Sequence, residues 1–315
     1  MIASELQKNI HIIFKLGIAL VKCARSFVVK TAFFILSILG RQKHPIRVVV
    51  GRFIGTFIYW ASSKRRAIAR RNLLICFGTD NSMDQELMVR QCFHEVGLGL
   101  LEMGRAWNAP KAEILNELEL DGAQLLVEAK ADGKGILILC PHYTSLELAA
   151  PFIEAAIGRL VISYRPHELN DLESVLKTGR SRYADLINVR SIRNLLKTLK
   201  NGDVLWFGPD QDMGRKGSVF APFFGHPAST VTTPSWLAKK TGCAVFFLAM
   251  IRKESGYEAR FIPMPKGYPH DDEVENATVL NQMIEDALRE NPAQYMWMHK
   301  RFKTQPDTPR YTLYQ

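Results

Sequence analysis

From residue 135 onward, short apolar runs alternate with amphipathic segments, and turn residues punctuate them. Gly135–Cys140 (GILILC) is an apolar run closed by Pro141, the pattern of a buried strand. Residues 160–164 and 204–207 read the same way, the latter ending in Gly208-Pro209. Residues 244–251 and 257–263 add two more predicted strands, and 118–120 a short one. Between them the spacing predicts helices over 145–157, 172–183, 192–200, 234–240 and 272–289. A glycine- and proline-rich loop is expected over 210–233, and 295–302 closes the fold. Upstream, Phe93, Val96, Leu100 and Met103 recur every three or four residues, predicting a helix from Asp84 to Trp107 that Asn108-Ala109-Pro110 ends. A further helix is expected over 122–131. Strands alternating with helices give an α/β fold with a mixed, partly parallel sheet flanked by helices.

The N-terminal pattern differs. Residues 10–39 are largely apolar, but Lys15, Lys22, Arg25 and Lys30 interrupt them, so no run of about 18 apolar residues survives to predict a spanning helix. Lys8, Lys15 and Lys22 are seven apart and share one helical face, which describes a basic amphipathic helix lying on an anionic membrane surface. A helix packed on its own domain is the alternative. The organisation expected is a membrane-associated helix over 1–45 and a second domain over 46–315. Residues 48–63 form another apolar stretch with Tyr59 and Trp60 near its end, running into Lys64, Arg65, Arg66, Arg70 and Arg71. Aromatic residues beside such a cluster suit a headgroup boundary, and equally an ordinary helix with a solvated basic face.

Composition narrows the partners. The net charge of +10 favours anionic ones: nucleic acid, acidic lipid or an acidic carrier protein. Nucleic acid is disfavoured, because no binding module is recognisable and aromatic residues do not interleave with the basic clusters. The five cysteines form no C-x-x-C pair and lie in apolar stretches, so neither a disulfide framework nor a zinc site is expected, and no cofactor is called for.

Candidate chemistry gathers where three predicted strands end: Pro141-His142, Tyr164-Arg165 and Asp210-Gln211-Asp212. His142 and Glu147 lie about 140° apart on a continuous helix, so they converge only if His142 sits in the loop before it. Thr144-Ser145-Leu146-Glu147 fits a capping box, which supports that arrangement and equally lets Glu147 be no more than a cap. As a working pair, a neutral imidazole would take a proton from an attacking alcohol, and the carboxylate would fix its tautomer. No protein nucleophile is then needed. Cys140, inside the apolar run, reads as core.

The ordered blocks RRAIARRNLLICF (65–77), GLGLLEMGRAW (97–107), PHYTSLE (141–147), SYRPHE (163–168), Gly179-Arg180, PDQDMG (209–214), SVFAPFFGHPAST (218–230) and QYMWMHKRFKT (294–304) resemble the lipid A secondary acyltransferases of Gram-negative bacteria. The resemblance runs from about residue 47 to 304. It departs at Cys76-Phe77-Gly78, which lacks the usual proline, and at Asn170-Asp171 in place of Asn-Pro. It implies transfer of a fatty acyl chain from acyl carrier protein to a hydroxyl of a lipid A precursor, at the cytoplasmic side of the inner membrane. His142 would be the general base and Glu147 its orienter. Arg180 would stabilise the charge on the thioester oxygen, with Asp210 holding that arginine or the substrate. Arg165, Arg215, Lys216 and Arg301 would bind anionic sugar or phosphate groups. Rival readings are acylation of another lipid acceptor, such as a lysophospholipid or glycolipid, and a non-catalytic basic membrane-binding protein.

Overall fold

The computed structural model describes residues 26–78, 82–307 and 312–314. Helix α1 covers residues 26–40, and the Lys8, Lys15 and Lys22 pattern lies outside the described residues. Then come α2 (His44–Ala61), α3 (Ser63–Phe77), α4 (Ser82–Asn108) and the short α5 (Lys111–Leu115). The α/β part opens with β1 (Leu118–Asp121), α6 (Ala123–Ala131), β2 (Ile136–Leu139), α7 (Ala149–Ile157) and β3 (Leu160–Tyr164). It continues through α8 (Asn170–Arg180), β4 (Ala184–Asn188), α9 (Ile192–Lys200) and β5 (Val204–Phe207). It ends with β6 (Ser218–Phe223), β7 (His226–Val231), α10 (Thr233–Thr241), β8 (Ala244–Lys253), β9 (Gly256–Pro263) and α11 (Glu273–Glu290).

Seven strands form one mixed sheet in the order β1-β9-β8-β2-β5-β3-β4. Strands β8, β2, β5, β3 and β4 are parallel, while β9 runs antiparallel to β8 and carries β1 beside it. The mixed, partly parallel sheet flanked by helices is therefore as expected from the sequence. The central strands β2 and β5 are buried along their whole length, which is why they read as unbroken apolar runs. The chain leaves β2 toward β3 and leaves β5 toward β8, on opposite sides of the pair. Adjacent strand ends that diverge in this way open a crevice at the sheet's carboxyl edge.

The short helix α5, strand β4 and the β6–β7 hairpin were not foreseen. Strand β4 carries an exposed aspartate and asparagine at the sheet edge and has too few apolar residues to register. The stretch expected to be a loop over 210–233 contains the β6–β7 hairpin. Pro222 and Pro227 sit opposite each other in it, and the turn places Phe224 at φ 49° and Gly225 at φ 75°. A proline in each strand and a phenylalanine at positive φ hide the usual hairpin signals.

Helix α2 reverses the ordinary amphipathic logic. Its buried face is Arg47, Gly51, Gly55 and Tyr59, while Ile46, Val49, Phe53, Phe57 and Trp60 point outward. The cause is a close crossing with α4. A methyl group on Gly97 would overlap the Gly51 carbonyl and the Gly55 backbone, so small residues on both helices let the backbones touch. Arg47 is held inside by Glu117 at 2.5 Å, which also binds Arg105 at 2.5 Å. Helix α1 also packs on α4, with Phe33 stacked on Trp107 at 5.5 Å, and exposes Phe27, Phe34 and Ile35. No helix among the described residues is long and apolar enough to cross a membrane.

The basic run after Trp60 is engaged internally. Arg66 lies over the Tyr59 ring at 4.7 Å, and Arg70 pairs with Glu86 at 2.5 Å. Arg65 donates to the Met298 carbonyl and Arg71 to that of Leu313. Much of this cluster thus ties α3 to the C-terminal segment.

Candidate active site

His142 and Asp210 each follow, by three residues, a strand end in register: Leu139 of β2 pairs with Phe207 of β5. Neighbouring strands lie about 4.8 Å apart, so the sheet itself sets the two side chains within reach. His142 Nδ1 meets Asp210 Oδ1 at 2.7 Å, and the His142 backbone N–H donates to Oδ2 at 3.1 Å. The Tyr295 hydroxyl donates to the same Oδ2 at 2.7 Å. Gly208 is the reason the ring fits, because a methyl group there would stand 2.7 Å from His142 Cε1. Burial lowers the His142 pKa, but the charge and hydrogen bond of Asp210 outweigh it and hold the imidazole above its usual value. Burial pushes Asp210 up, and His142 together with the three donated hydrogen bonds brings it well below the usual carboxylate range. An ionised Asp210 keeps the proton on Nδ1 and leaves Nε2 free to accept one.

The partner of His142 is therefore Asp210 and not Glu147, as the PHYTSLE pattern had suggested. Glu147 faces Arg180, with Nε to Oε2 at 3.1 Å and Nη2 to Oε1 at 2.5 Å. Trp107 Nε1 adds a third donor at 3.2 Å. Asp210, expected to hold Arg180 or the substrate, instead holds the histidine. The capping box does not form either: residues Leu146–Leu148 make a 3-10 turn with no side-chain cap. Thr144 Oγ1 instead accepts from Arg252 at 3.3 Å, and its N–H donates to the Gln294 carbonyl at 2.8 Å. Arg252 is fixed by Glu102 through two hydrogen bonds of 2.6 and 2.7 Å. Burial pushes Arg252 down to about 10 and Glu102 up to about 8. The loop bearing His142 is thus anchored to α4 and to the segment after α11. Glycine at 179 has its own cause, since Trp107 lies where a side chain would be.

A cavity of about 500 Å³ opens on this centre. A quarter of the His142 side chain is exposed to it, beside Glu147 and Arg180. One wall is apolar, from Leu146, Ala149, Ala150, Ile162, Trp206 and Phe207. Of the four residues expected to bind anions, Arg165 and Lys216 line the cavity. Arg215 does not: it donates to the Gln305 and Pro306 carbonyls at 2.6 Å. Arg301 is a correction, because it is 1% exposed and clamped inside the fold. Its guanidinium donates to the Ser229 carbonyl, Thr230 Oγ1 and Asn281 Oδ1, and lies 4.9 Å over Phe223. Cys140 donates to its neighbour's carbonyl, and burial pushes its thiol far up.

Comparison with known proteins decides the lineage. The family model for bacterial lipid A biosynthesis acyltransferases matches residues 17–304. The chain belongs to this family. Within the lipid A biosynthesis acyltransferases, it is 34% identical to the palmitoleoyltransferase of Escherichia coli over 84% of this chain and 87% of that one. It is 33% identical to the lauroyltransferase of the same organism, over 87% and 90% of the two chains. Identity to the Escherichia coli lipid A myristoyltransferase is 23% over 83% and 81%. The enzyme is an acyltransferase. Sequence reasoning missed Tyr295, which binds Asp210, Trp107, which binds Glu147, and Arg190, which lines the cavity. Tyr295 and Trp107 lie far along the chain from the residues they bind, and only the aromatic-rich blocks around them hinted at a role. Arg190 gave no signal, because it follows the unrecognised strand β4.

Proposed function

We propose that this acyltransferase moves a fatty acyl chain from acyl carrier protein to a hydroxyl of a lipid A precursor, with His142 as general base. The observation that carries the reading is the His142–Asp210 pair opening on a cavity with an apolar wall, in a chain of this family. Nε2 takes the proton of the acceptor hydroxyl as its oxygen attacks the thioester carbonyl carbon. Asp210 stabilises the imidazolium that forms. The tetrahedral intermediate carries its charge on the former carbonyl oxygen. Arg180 faces the cavity with donors left over from its bidentate contact with Glu147, and these would meet that oxyanion. Glu147 then serves as the positioning residue for Arg180. Collapse breaks the carbon–sulfur bond, and the leaving thiolate recovers the proton from His142. An acyl chain along the apolar wall would gain about 0.8 kcal/mol for each methylene buried.

The acceptor is a lipid, and the protein offers a surface to meet it. On α2, Phe53 is 76% and Trp60 65% exposed, in line with Val49 and Phe57, and α1 adds Phe27 and Phe34. Burying such a side chain contributes roughly 1.5–3 kcal/mol. Residues 1–45 together with α2 would lie on the cytoplasmic side of the inner membrane, and residues 46–315 would carry the reaction. The deciding experiment supplies the purified protein with acyl carrier protein charged with laurate or palmitoleate and a lipid A precursor, followed by mass spectrometry. Gain of one acyl mass on the precursor is the expected result. Acylation of a lysophospholipid or glycolipid in preference would replace the acceptor, and no transfer from the carrier protein would remove the donor.

A further inference from the structure

Most arginines of this protein are matched. Arg47 and Arg105 share Glu117, Arg70 holds Glu86, Arg159 holds Asp185, and Arg260 meets Glu258. The mouth of the cavity breaks this habit. Arg165, Arg180, Arg190 and Lys216 line it, and Glu147, bound to Arg180, is the one carboxylate among its lining residues. Arg165 has only a distant contact with the exposed Glu168 at 3.9 Å. The Arg190 and Lys216 side chains have no ion pair or hydrogen bond among the described residues; Asn188 Oδ1 accepts from the Arg190 backbone alone. Three exposed cations therefore line one cavity from three separate loops, after β3, after β4 and before β6.

Like charges around a concavity repel one another, and they focus a positive potential into it. An arrangement of that kind is relieved by an anion that can take donors from several directions. A carboxylate presents one plane of acceptors and is matched by one guanidinium. A tetrahedral phosphate presents oxygens to several cations at once. We infer that Arg190, with Arg165 and Lys216, forms a phosphate-binding site at the cavity mouth, holding a phosphorylated substrate while its reacting group lies against His142. The inference rests on the acyl-transfer reading for its substrates. Two of them carry the required chemistry: the sugar phosphates of a lipid A precursor, and the phosphodiester that joins the carrier protein to its thiol arm.

The test uses full-length protein with Arg190→Gln, Lys216→Gln and Arg190→Lys. A first measurement, independent of catalysis, follows the binding of inorganic phosphate by phosphorus NMR line broadening. Broadening should weaken in both glutamine variants and recover in part with lysine at 190. A second measurement separates the sources by kinetics. A charge-assisted hydrogen bond is worth about 1.5–3 kcal/mol, so each glutamine should raise one KM by about tenfold or more while kcat falls less than about threefold. If the site holds the acceptor, the KM of the phosphorylated acceptor rises, and an enzymatically dephosphorylated acceptor binds wild type and variant equally poorly. If it holds the donor arm, the donor KM rises whatever the state of the acceptor. Unchanged phosphate binding with both KM values intact overturns the site. A fall in kcat alone also overturns it. Phosphate binding that depends on Arg190 in a protein inactive with both substrates would keep the site and sink the acyl-transfer reading.

Discussion

Replacing Asp210 by asparagine separates the two carboxylates around His142. The change is nearly isosteric, so the fold should survive. In the protein, Oδ1 receives His142 Nδ1 at 2.7 Å, while Oδ2 receives the His142 N–H and the Tyr295 hydroxyl. With two donors fixed on the Oδ2 side, the amide oxygen of asparagine stays there and its NH₂ turns toward Nδ1. The proton then moves to Nε2, where a base is required to be bare. A positioned general base contributes about 10²–10⁴-fold, so kcat should fall by that order, or about 3–5 kcal/mol in the barrier. The pH profile gives an independent check. Only the neutral imidazole is a base, and Asp210 holds its pKa above 6.5. Wild-type rate should therefore rise with pH through a value above 6.5. Once the charge is gone burial dominates, and the residual activity of the variant should reach its plateau at lower pH than wild type. The assay is initial acyl transfer across pH 5 to 9, with circular dichroism to verify the fold. Near-normal rates and an unmoved acid limb, alongside a Glu147→Gln variant that shows the shift, would return Glu147 to the histidine and refute the pairing.

Tyr295→Phe removes one donor from Asp210 and leaves its charge less shared, so the acid limb should move to higher pH with a loss of several-fold; a loss with no shift would make Tyr295 a packing residue only. Gly97→Ala forces a methyl into the α2 backbone, and overpacking of this kind should cost about 1–3 kcal/mol in thermal unfolding; an unchanged melting temperature would refute the close crossing of α2 and α4. Replacing Phe53, Phe57 and Trp60 together by glutamine should abolish most sedimentation with anionic vesicles while turnover on detergent-dispersed substrate persists; unchanged sedimentation would move the membrane contact elsewhere. Cys140→Ser should retain activity, and a trapped acyl thioester on Cys140 would overturn direct transfer.

The parallel core was legible because buried strands such as β2 and β5 are apolar end to end and are stopped by Pro141 and Gly208. That legibility extended to His142 and Asp210, since residues just past such strands point into the crevice. Their pairing was not legible. Glu147 is close in sequence to His142, whereas Asp210 is close only through the register of two strands that the chain visits at different times. Tyr295 and Arg252 act on the His142 loop from still farther away. Helix α2 escaped for another reason: periodicity reports which face is apolar, and here the small and charged face is the one packed inside.

The segment that straps the reactive loop follows the last strand of the sheet and α11 in the chain. Met296 donates to the His142 carbonyl, Tyr143 and Tyr295 form a β-bridge, and Asn72 grips the Trp297 and His299 carbonyls. A nascent chain that has completed every strand of the sheet still lacks Gln294 to hold Thr144 and Tyr295 to hold Asp210. A finished sheet is therefore not a finished site: the His142 loop keeps its shape only with residues 294–299 packed against it. A single proteolytic cut after α11 would silence the enzyme without touching the cavity.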